Sequence, residues 1–541
     1  MQLKRSLRSL GALALWMTSS TLPAHEPHQC PPTVPDHPRL KGHVEHFDIV
    51  GGQLRLRDVF DAGEALFVEP LNICDGQGRH AATGTGEKRS PVGQPAMIRT
   101  SGPDANACAG CHNQPRSGGG GDFVANVFVL AQAADPVIES IGRETSNERN
   151  TLGMFGSGPI EMLAREMSEE LKVQVEGLPD GRHTLTTKGI EFEIEIAGGV
   201  VVASAGIDLD LVVKPFHQAG VVVSLREFTV NAFNHHHGMQ AEERFDLNPT
   251  KGFDADHDED GVTRELTIGD ITAAVLWQAQ LAVPGRLLPS DPEARERVTQ
   301  GELLFSDIGC ASCHVPELEL TSTLFVEPNP FNPPGTCIDP AFCPPYAFDL
   351  TREGEAPRLK ASAGGGARVA AYTDLKRHNL CDEPDAQDAI RYYCNEQLAQ
   401  GRPDQNGRPG TEYFLTRKLW DVGNSAPYGH RGDLSTIAEA VLMHGGEARA
   451  ARDAFAALPT RRQRAIVDFL RTLQVLPEGS PRIVIDNGHG RAHGEHLARR
   501  SPVRVRRSHQ VCASRRCGSD GSLHLANIAA PTTGTPLRGR R

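Results

Sequence analysis

The sequence lacks two features that would define its environment: a long internal apolar run and an excess of positive charge. Beyond the N-terminus, no stretch of the 541 residues approaches the roughly 18 apolar residues that cross a bilayer, which argues against a membrane span. The formal net charge is −12, although residues 481–541 carry twelve arginines against three acidic residues. The rest of the chain is therefore acidic, which is not typical of nucleic-acid-binding proteins. Such a surface suits a basic protein partner, or simply solubility.

The N-terminus has the pattern of an export signal. Lys4, Arg5 and Arg8 precede a short apolar run over residues 10–17, and small residues follow up to Ala24. This order is typical of a secretory signal peptide, whereas a membrane anchor would need a longer apolar run. We expect residues 1–24 to be a signal peptide and the mature protein to be periplasmic or secreted.

Two motifs of the form Cys-x-x-Cys-His stand at residues 108–112 and 310–314. This pattern is typical of haem c attachment, in which the thiols form thioether bonds and the histidine becomes an iron ligand. The alternatives are a zinc half-site, which needs a second ligand pair, and a redox cysteine pair, which needs a βαβ context. Neither context is visible, so we predict two covalently bound haem c groups. The predicted attachment residues are Cys108, Cys111, Cys310 and Cys313, and the predicted iron ligands are His112 and His314.

The other eight cysteines are an even number, which indicates disulfides in an exported chain. They are Cys30, Cys74, Cys337, Cys343, Cys381, Cys394, Cys512 and Cys517. Pairing between neighbours in sequence, Cys337–Cys343, Cys381–Cys394 and Cys512–Cys517, is the simplest arrangement, although the sequence alone does not decide the connectivity.

Two similar pentapeptides, Gly63–Phe67 and Gly301–Phe305, precede the two motifs. We interpret them as copies of one helix in a duplicated cytochrome c module. The closing helix of the second module is predicted to begin at Thr460, with Gln463 completing a capping box.

Between the modules, the hydrophobic pattern changes to a period of two over about residues 172–232, including Val173–Glu176 and Val221–Ser224. The expected fold class is therefore mainly α, with two cytochrome c-type helical haem domains and a β-rich insertion between them. The predicted domains after the signal peptide are an N-terminal haem domain (25–165), the β-rich insertion with a connecting helix (166–290), a C-terminal haem domain (291–477) and a disordered basic tail (478–541).

The sixth ligand of each iron determines its function, because an occupied position favours electron transfer and an open one binds small molecules. His444 is the best candidate opposite His314. It lies at the end of a short helix whose start carries a capping box of Thr436 and Glu439. The alternative is an ordinary core histidine, and Met443 on the other side of the helix is a second ligand type.

A polar cluster at residues 234–243 contains three consecutive histidines, which cannot all face one way. A distal base beside a peroxide-binding iron moves a proton between the two oxygens, and His, Gln or Glu can perform this step. The candidate catalytic residues are His235, Gln240 and Glu242. The alternatives are a surface loop and an adventitious metal site.

Three carboxylates, Asp256, Asp258 and Asp260, alternate before Gly261 as in the first half of a calcium loop. The twelfth position is Thr267 rather than Glu, so the match is partial. Calcium binding is one interpretation and an acidic solvated turn is the other.

Several stretches together resemble the bacterial dihaem cytochrome c peroxidase superfamily, and more specifically its dihaem oxidoreductase branch, whose members are often labelled thiol oxidoreductases. They cover roughly residues 60–477. The matching stretches are Cys108–Pro115 with Gly118–Gly121, Tyr372–Leu380, Leu419–Gly432 and Leu442–Ala448.

The last of these stretches is the most specific. In the peroxidases, its histidine position is typically the distal methionine of the C-terminal haem. The resemblance therefore implies bis-histidine ligation by His314 and His444, and a lower potential. The peroxidases also place a Gln and a Glu after the first haem motif, for which Gln240 and Glu242 are the available stand-ins.

The resemblance implies an exported haem-dependent oxidoreductase, peroxidase-like, with an unknown substrate. Electrons would pass between a six-coordinate C-terminal haem and a more open N-terminal haem, with Trp277 and Trp420 as candidate relays or plain core residues. The expected partners are a periplasmic electron-transfer protein and a small oxidant or substrate, with no nucleic acid and no membrane span. The alternative is a dihaem electron-transfer cytochrome without catalysis.

Overall fold

The computed structural model describes residues 30, 35–77, 105–121, 124–126, 148–245, 262–394, 412–477 and 479–480. The predicted signal peptide, the predicted calcium residues Asp256, Asp258 and Asp260, the Cys512–Cys517 pair and the tail from residue 481 lie outside this part of the chain. Within it, no helix combines the length and apolar character needed to cross a membrane.

The described helices alternate with short strands along the whole chain. The α-helices are α1 (His46–Val50), α2 (Leu56–Val68), α3 (Ser157–Val175), α4 (Leu225–Ala232), α5 (Glu242–Phe245), α6 (Ile268–Ala279), α7 (Pro292–Asp307), α8 (Ile437–Leu442), α9 (Arg449–Ala457) and α10 (Thr460–Thr472). A π-helix, Phe233–His237, continues α4.

The strands form small antiparallel sheets. They are β1 (Val124–Asn126), β2 (Glu148–Asn150), β3 (Gly181–Thr187), β4 (Ile190–Ala197), β5 (Val200–Ser204), β6 (Gly285–Arg286), β7 (Leu318–Leu320), β8 (Leu324–Glu327), β9 (Tyr346–Asp349), β10 (Ala367–Val369), β11 (Arg377–Asn379), β12 (Tyr413–Leu415) and β13 (Leu473–Gln474). Strands β3, β4 and β5 form one three-stranded sheet, and the pairs β1–β2, β7–β10, β8–β9, β11–β12 and β6–β13 form two-stranded ladders.

The expectation of a mainly α fold is wrong. Helices account for 35% and strands for 16% of the structure, and the strands lie in several small sheets rather than in one insertion. Three of the ladders lie in the long connection between α7 and α8. A long connection that packs against a core must satisfy its backbone hydrogen-bonding groups, and short ladders do so without a strong sequence pattern.

The predicted period-two region is only partly extended. Strand β4 alternates as expected, with Phe192, Ile194 and Ile196 buried. Val173–Glu176, however, belongs to the end of α3, because the buried positions Ile160, Leu163 and Leu171 maintain the helical period up to that point. Val221–Ser224 forms only an isolated bridge before α4 begins.

The two pentapeptides lie at similar helix crossings. Helix α2 packs on α6, and α7 packs on α10. A Cβ at Gly63 would collide with the Ala273 carbonyl, and one at Gly301 with the Ala465 carbonyl. Each glycine therefore allows two helix backbones to approach closely.

The predicted capping box at the start of α10 is wrong. Pro459 is the N-cap and Thr460 the first helical residue, and no side chain caps the helix. The Gln463 amide instead donates to the Phe455 carbonyl at 3.0 Å. Proline already fixes the entry angle of the chain, so Thr460 lies one position too late to cap.

Candidate haem centres

Each Cys-x-x-Cys-His motif begins with a 3₁₀ turn, Cys108–Gly110 in the first copy and Cys310–Ser312 in the second. The histidine NH donates to the carbonyl of the first cysteine, at 2.9 Å for His112 and 3.0 Å for His314. The turn thus places the imidazole one helical turn beyond the first thiol in both copies.

The four motif cysteines are the ones that remain thiols among the described residues. The other six form the disulfides Cys30–Cys74, Cys337–Cys343 and Cys381–Cys394, and the last two of these confirm the predicted pairings. Burial raises the pKa of Cys108 to about 12 and that of Cys310 to about 11. A raised pKa at Cys108 and Cys310 does not suit a redox cysteine pair, which depends on a thiolate, whereas cysteines outside any disulfide and next to a histidine fit haem attachment.

His314 is oriented as an axial ligand would be. Its Nδ1 lies 3.1 Å from the Tyr372 carbonyl, which leaves Nε2 for a metal. Tyr372 has a φ of 55°, a left-handed conformation that a bulky residue rarely adopts. Burial, followed by the nearby His444, lowers the pKa of His314 to about 4, so that the imidazole is neutral as metal binding requires.

His444 lies just beyond the end of α8 and close enough to His314 to affect its pKa. Its Nδ1 donates to the Ala440 carbonyl at 2.7 Å, which again leaves Nε2 available. The predicted capping box of Thr436 and Glu439 is present at the start of this helix. His314 and His444 thus lie close together, each with Nδ1 on a backbone carbonyl.

The turn that follows His444 is held by the segment after β11. The Glu447 carboxylate accepts the Asn379 NH at 2.9 Å, and the Asp382 carboxylate accepts the Gly446 NH at 2.9 Å. A Cβ at Gly446 would collide with the Asn379 carbonyl, so the turn and the segment lie in direct backbone contact. The Cys381–Cys394 disulfide closes this segment.

His378 was not singled out from the sequence as a site residue, yet it forms a dense polar cluster beside the second motif. Its Nε2 lies 2.8 Å from Asp374 and its Nδ1 lies 2.6 Å from Glu447. Burial opposes the charged form, but hydrogen bonds to Asp374, Cys313 and Glu447 outweigh it and raise the pKa of His378 to about 12. Cys313, Asp374 and His378 also lie close enough to hold a metal ion, provided that Cys313 is not committed to a thioether.

A phenylalanine ring lies beside His112, as one does beside His314. The Phe67 ring lies 5.9 Å from His112, and the Phe305 ring lies 6.3 Å from His314. Burial lowers the pKa of His112 to about 4, which again gives a neutral imidazole. The two proximal environments are thus copies of one arrangement.

The environment around His112 differs in its other histidines. The π-helix contains all three consecutive histidines, and π-turns are frequent at functional sites. His237 lies with Nε2 3.3 Å from the Cys108 sulfur and Nδ1 2.7 Å from the Ala105 carbonyl. The pKa of His236 is lowered to about 3, mainly by burial. The neighbouring His237, His235, His112 and His217 lower it further.

The predicted catalytic candidates lie at different depths. His235 belongs to the histidine cluster, where burial and then Arg244 lower its pKa. The Glu242 carboxylate accepts a hydrogen bond from Arg264 Nε at 2.7 Å and lies at the start of α6. The buried Gln240 donates its backbone NH to the Glu265 carboxylate. The structure therefore brings His236 and His237 to the first motif, whereas Glu242 is engaged elsewhere. Regular helical spacing did not identify His236 and His237 because they lie on an irregular π-turn.

The segment 416–421 lies between the two motifs. The backbone of Arg417 is hydrogen-bonded to His314, while its charge contributes to lowering the pKa of His112. The fully buried Trp420 ring packs on Gly156, where a Cβ would collide with it, and Lys418 Nζ lies 5.7 Å from that ring. Trp277 packs on Phe67 at 4.4 Å, on the side of the first motif.

Comparison with known proteins identifies one matching family. Residues 336–473 match the family described as "Di-haem oxidoreductase, putative peroxidase". The match includes the Tyr372–Leu380, Leu419–Gly432 and Leu442–Ala448 stretches and confirms the resemblance inferred from the sequence. No curated protein matches the chain.

Two solved structures align over most of the chain. Hydrazine synthase from Kuenenia stuttgartiensis is 13% identical, with coverage of 87% of this chain and 100% of that one and a TM-score of 0.30. A variant of the diheme peroxidase BthA from Burkholderia thailandensis is 14% identical, with coverage of 83% and 94% and a TM-score of 0.28.

Proposed function

We propose that this chain is an exported dihaem c-type cytochrome oxidoreductase, peroxidase-like, that relays electrons between a six-coordinate C-terminal haem and a more open N-terminal haem. The coarser statement, a likeness to di-haem oxidoreductases, is carried by the family match. The finer statement rests on one observation. The motif cysteines form no disulfide and stand beside His112 and His314; next to His314 lies His444, with Nδ1 on the Ala440 carbonyl, whereas next to His112 lie the histidines of the π-turn.

The chain supplies all the groups that two covalent haems require. Cys108 and Cys111 would hold the first haem with His112 as the axial ligand. Cys310 and Cys313 would hold the second, with His314 and His444 as the residues that would bind its iron. Haem supplies a redox-active iron that accepts and donates electrons, and that reacts with peroxide when one axial position is open.

The residues around His112 provide proton transfer and shielding. His236 is an imidazole whose pKa is lowered by burial, and His237 is a buried imidazole with Nδ1 on the Ala105 carbonyl, so either ring could accept a proton from an incoming peroxide. His235, Gln240 and Glu242 remain the candidates from the sequence. Because the Glu242 carboxylate pairs with Arg264, we favour the histidines for this step.

The 416–421 segment lies next to both centres. Trp420 is buried between parts of both modules, and Lys418 donates to the Phe155 carbonyl at 2.7 Å above it. We propose Trp420 as the principal aromatic group between the centres, with Trp277 serving the first motif. The expected partners are a periplasmic electron-transfer protein and a small oxidant or an unknown substrate. Calcium at Asp256, Asp258 and Asp260 is proposed from the sequence pattern alone.

The spectrum of the half-reduced holoprotein tests the proposal against the alternative, a non-catalytic electron-transfer cytochrome. We expect one low-spin centre, assigned to His314 and His444, and a high-spin signal from the other centre in the oxidised or half-reduced state. Two low-spin centres under every redox condition would support the alternative. Absence of covalently bound haem after export would reject both and favour metal or disulfide chemistry.

A set of matched variants tests which residues move the proton. A general base contributes about 10² to 10⁴ in rate, so His236→Gln or His237→Gln should slow the reaction with peroxide by that order. Glu242→Gln is the comparison, because its carboxylate caps α6 and should change the unfolding temperature more than the rate. The opposite pattern would return the catalytic role to Glu242.

A further inference from the structure

A continuous row of aromatic side chains leads from His444 to the protein surface. The Tyr393 ring lies 6.0 Å from His444 and 4.8 Å from the Tyr392 ring. Tyr393 is buried, whereas Tyr392 is half-buried at the surface end of the row. His430 and Phe414 enclose Tyr393 at 5.4 Å and 4.9 Å, so the row is surrounded by packed rings.

The outer tyrosine has a proton acceptor in place. The Tyr392 hydroxyl donates to the carboxylate of Asp433, an exposed residue. Arg431 lies over the Tyr392 ring at 4.6 Å and pairs with Asp433 at 3.3 Å. A tyrosine is oxidised at neutral pH only when its proton leaves together with the electron, and a bonded carboxylate takes up that proton.

The backbone around this pair leaves room for the hydroxyl. Gly429 has a φ of 78°, and a Cβ there would collide with the Tyr392 hydroxyl. The Cys381–Cys394 disulfide closes the segment that carries both tyrosines and links it to the turn after His444. The same segment thus positions the ligand and the aromatic row.

We propose that Tyr393 and Tyr392 form a redox path from the C-terminal haem to the surface, and that Tyr392 with Asp433 is a second reaction site for one-electron donors that do not enter the pocket at His112. This inference rests on the proposed function, which supplies hydrogen peroxide as the oxidant. It adds the place where the reducing substrate gives up its electrons.

The electron balance closes with two donors for each peroxide. Reduction of H₂O₂ to two waters consumes two electrons, which the surface donors supply, and two protons, which the solvent supplies. In each half-cycle Tyr392 loses one electron, which tunnels past the Tyr393 ring towards His444 without oxidising Tyr393, and the phenolic proton of Tyr392 moves to Asp433. A donor at the surface then returns one electron to the tyrosyl radical, and Asp433 returns the proton. Two half-cycles restore the protein.

Rapid-freeze electron paramagnetic resonance of the holoprotein mixed with hydrogen peroxide is the direct test. We expect a tyrosyl radical in the wild type and in Tyr346→Phe, a matched control in which a half-buried tyrosine on β9 is changed. The signal should disappear in Tyr392→Phe, and its decay should be accelerated by added hydroquinone. An unchanged signal in Tyr392→Phe would overturn the proposal.

A second measurement does not depend on peroxide and separates the two proposals. The fully reduced holoprotein is oxidised by photogenerated ruthenium(III) tris-bipyridine, and oxidation of the bis-histidine centre is followed optically. Loss of the hydroxyl should slow this step by about tenfold in Tyr392→Phe, which corresponds to a barrier increase of about 1.4 kcal/mol. A slower rate without any reaction with peroxide would reject the peroxidase function and keep the path, whereas an unchanged rate would reject the path.

Discussion

The two haem motifs share their proximal side and differ in the histidines around it. A phenylalanine ring lies at a similar distance from the motif histidine in both copies, Phe67 from His112 and Phe305 from His314. In each copy a glycine, Gly63 or Gly301, allows the same kind of close helix crossing. Near His314, His444 stands between the end of a capped helix and a turn held by the carboxylates of Glu447 and Asp382. Around His112, several histidines gather on a π-turn. Under the proposed function, this difference corresponds to a closed C-terminal centre and a more open N-terminal centre.

We expect the largest effect on this contrast from removal of His444, the proposed second ligand of the C-terminal iron. In His444→Ala, the C-terminal centre should lose its low-spin signal completely and come to resemble the other centre, because an axial position is vacated. Absorption and magnetic spectra of the oxidised protein measure the change. Met443→Leu is the control, since it alters the neighbouring residue and should leave the spectrum intact. A low-spin spectrum retained in His444→Ala would show that another residue is the ligand.

The two similar helix crossings can be tested with the same substitution at each glycine. Gly63→Ala and Gly301→Ala each place a Cβ against a helix carbonyl, and overpacking of this kind costs about 3 kcal/mol of unfolding free energy. Similar losses for both variants would support equivalent roles. Gly364→Ala is the control, because no atom lies near its added Cβ and the change should stay within about 0.5 kcal/mol.

His378 belongs to the closed centre, and its ion pairs give a pH-dependent prediction. Its pKa in the folded state, about 12, lies above the unfolded value of about 6.5, so its stabilisation is complete below pH 6.5. The stabilisation declines as the pH rises towards 12, because only the unfolded chain loses the proton over that range. Denaturant titrations of the wild type and His378→Gln should differ by about 2 kcal/mol at pH 6 and by less at pH 9. A difference that is constant with pH would contradict the charged state.

The smallest expected effect concerns the cap of the helix that leads to His444. Thr436 accepts the Glu439 NH, and Thr436→Ala should cost about 1 kcal/mol of stability. Thr460→Ala is the matched control, because Thr460 forms no cap at the start of α10 and should change little. Equal losses at both positions would show that the threonines act through another interaction.

The motif residues, two disulfides and the place of His444 were accessible from the sequence because each depends on short-range spacing. The capping box at Thr436 was correct for the same reason, while the one at Thr460 failed because Pro459 took the cap position. The fold class was wrong because the short ladders between α7 and α8 have no periodic pattern to detect. His378 and its carboxylates escaped notice because Asp374 and Glu447 are 73 positions apart and meet only in the folded chain.

The π-turn at Phe233–His237 has a consequence for how this chain is compared with its relatives. A π-turn holds one more residue than the α-turn that it interrupts, so the length of the segment, and not only its composition, decides which histidine meets Cys108. A relative with one residue fewer there would present a different neighbour at the same place. Alignments should therefore open a single-residue gap within 233–237 before any histidine there is matched.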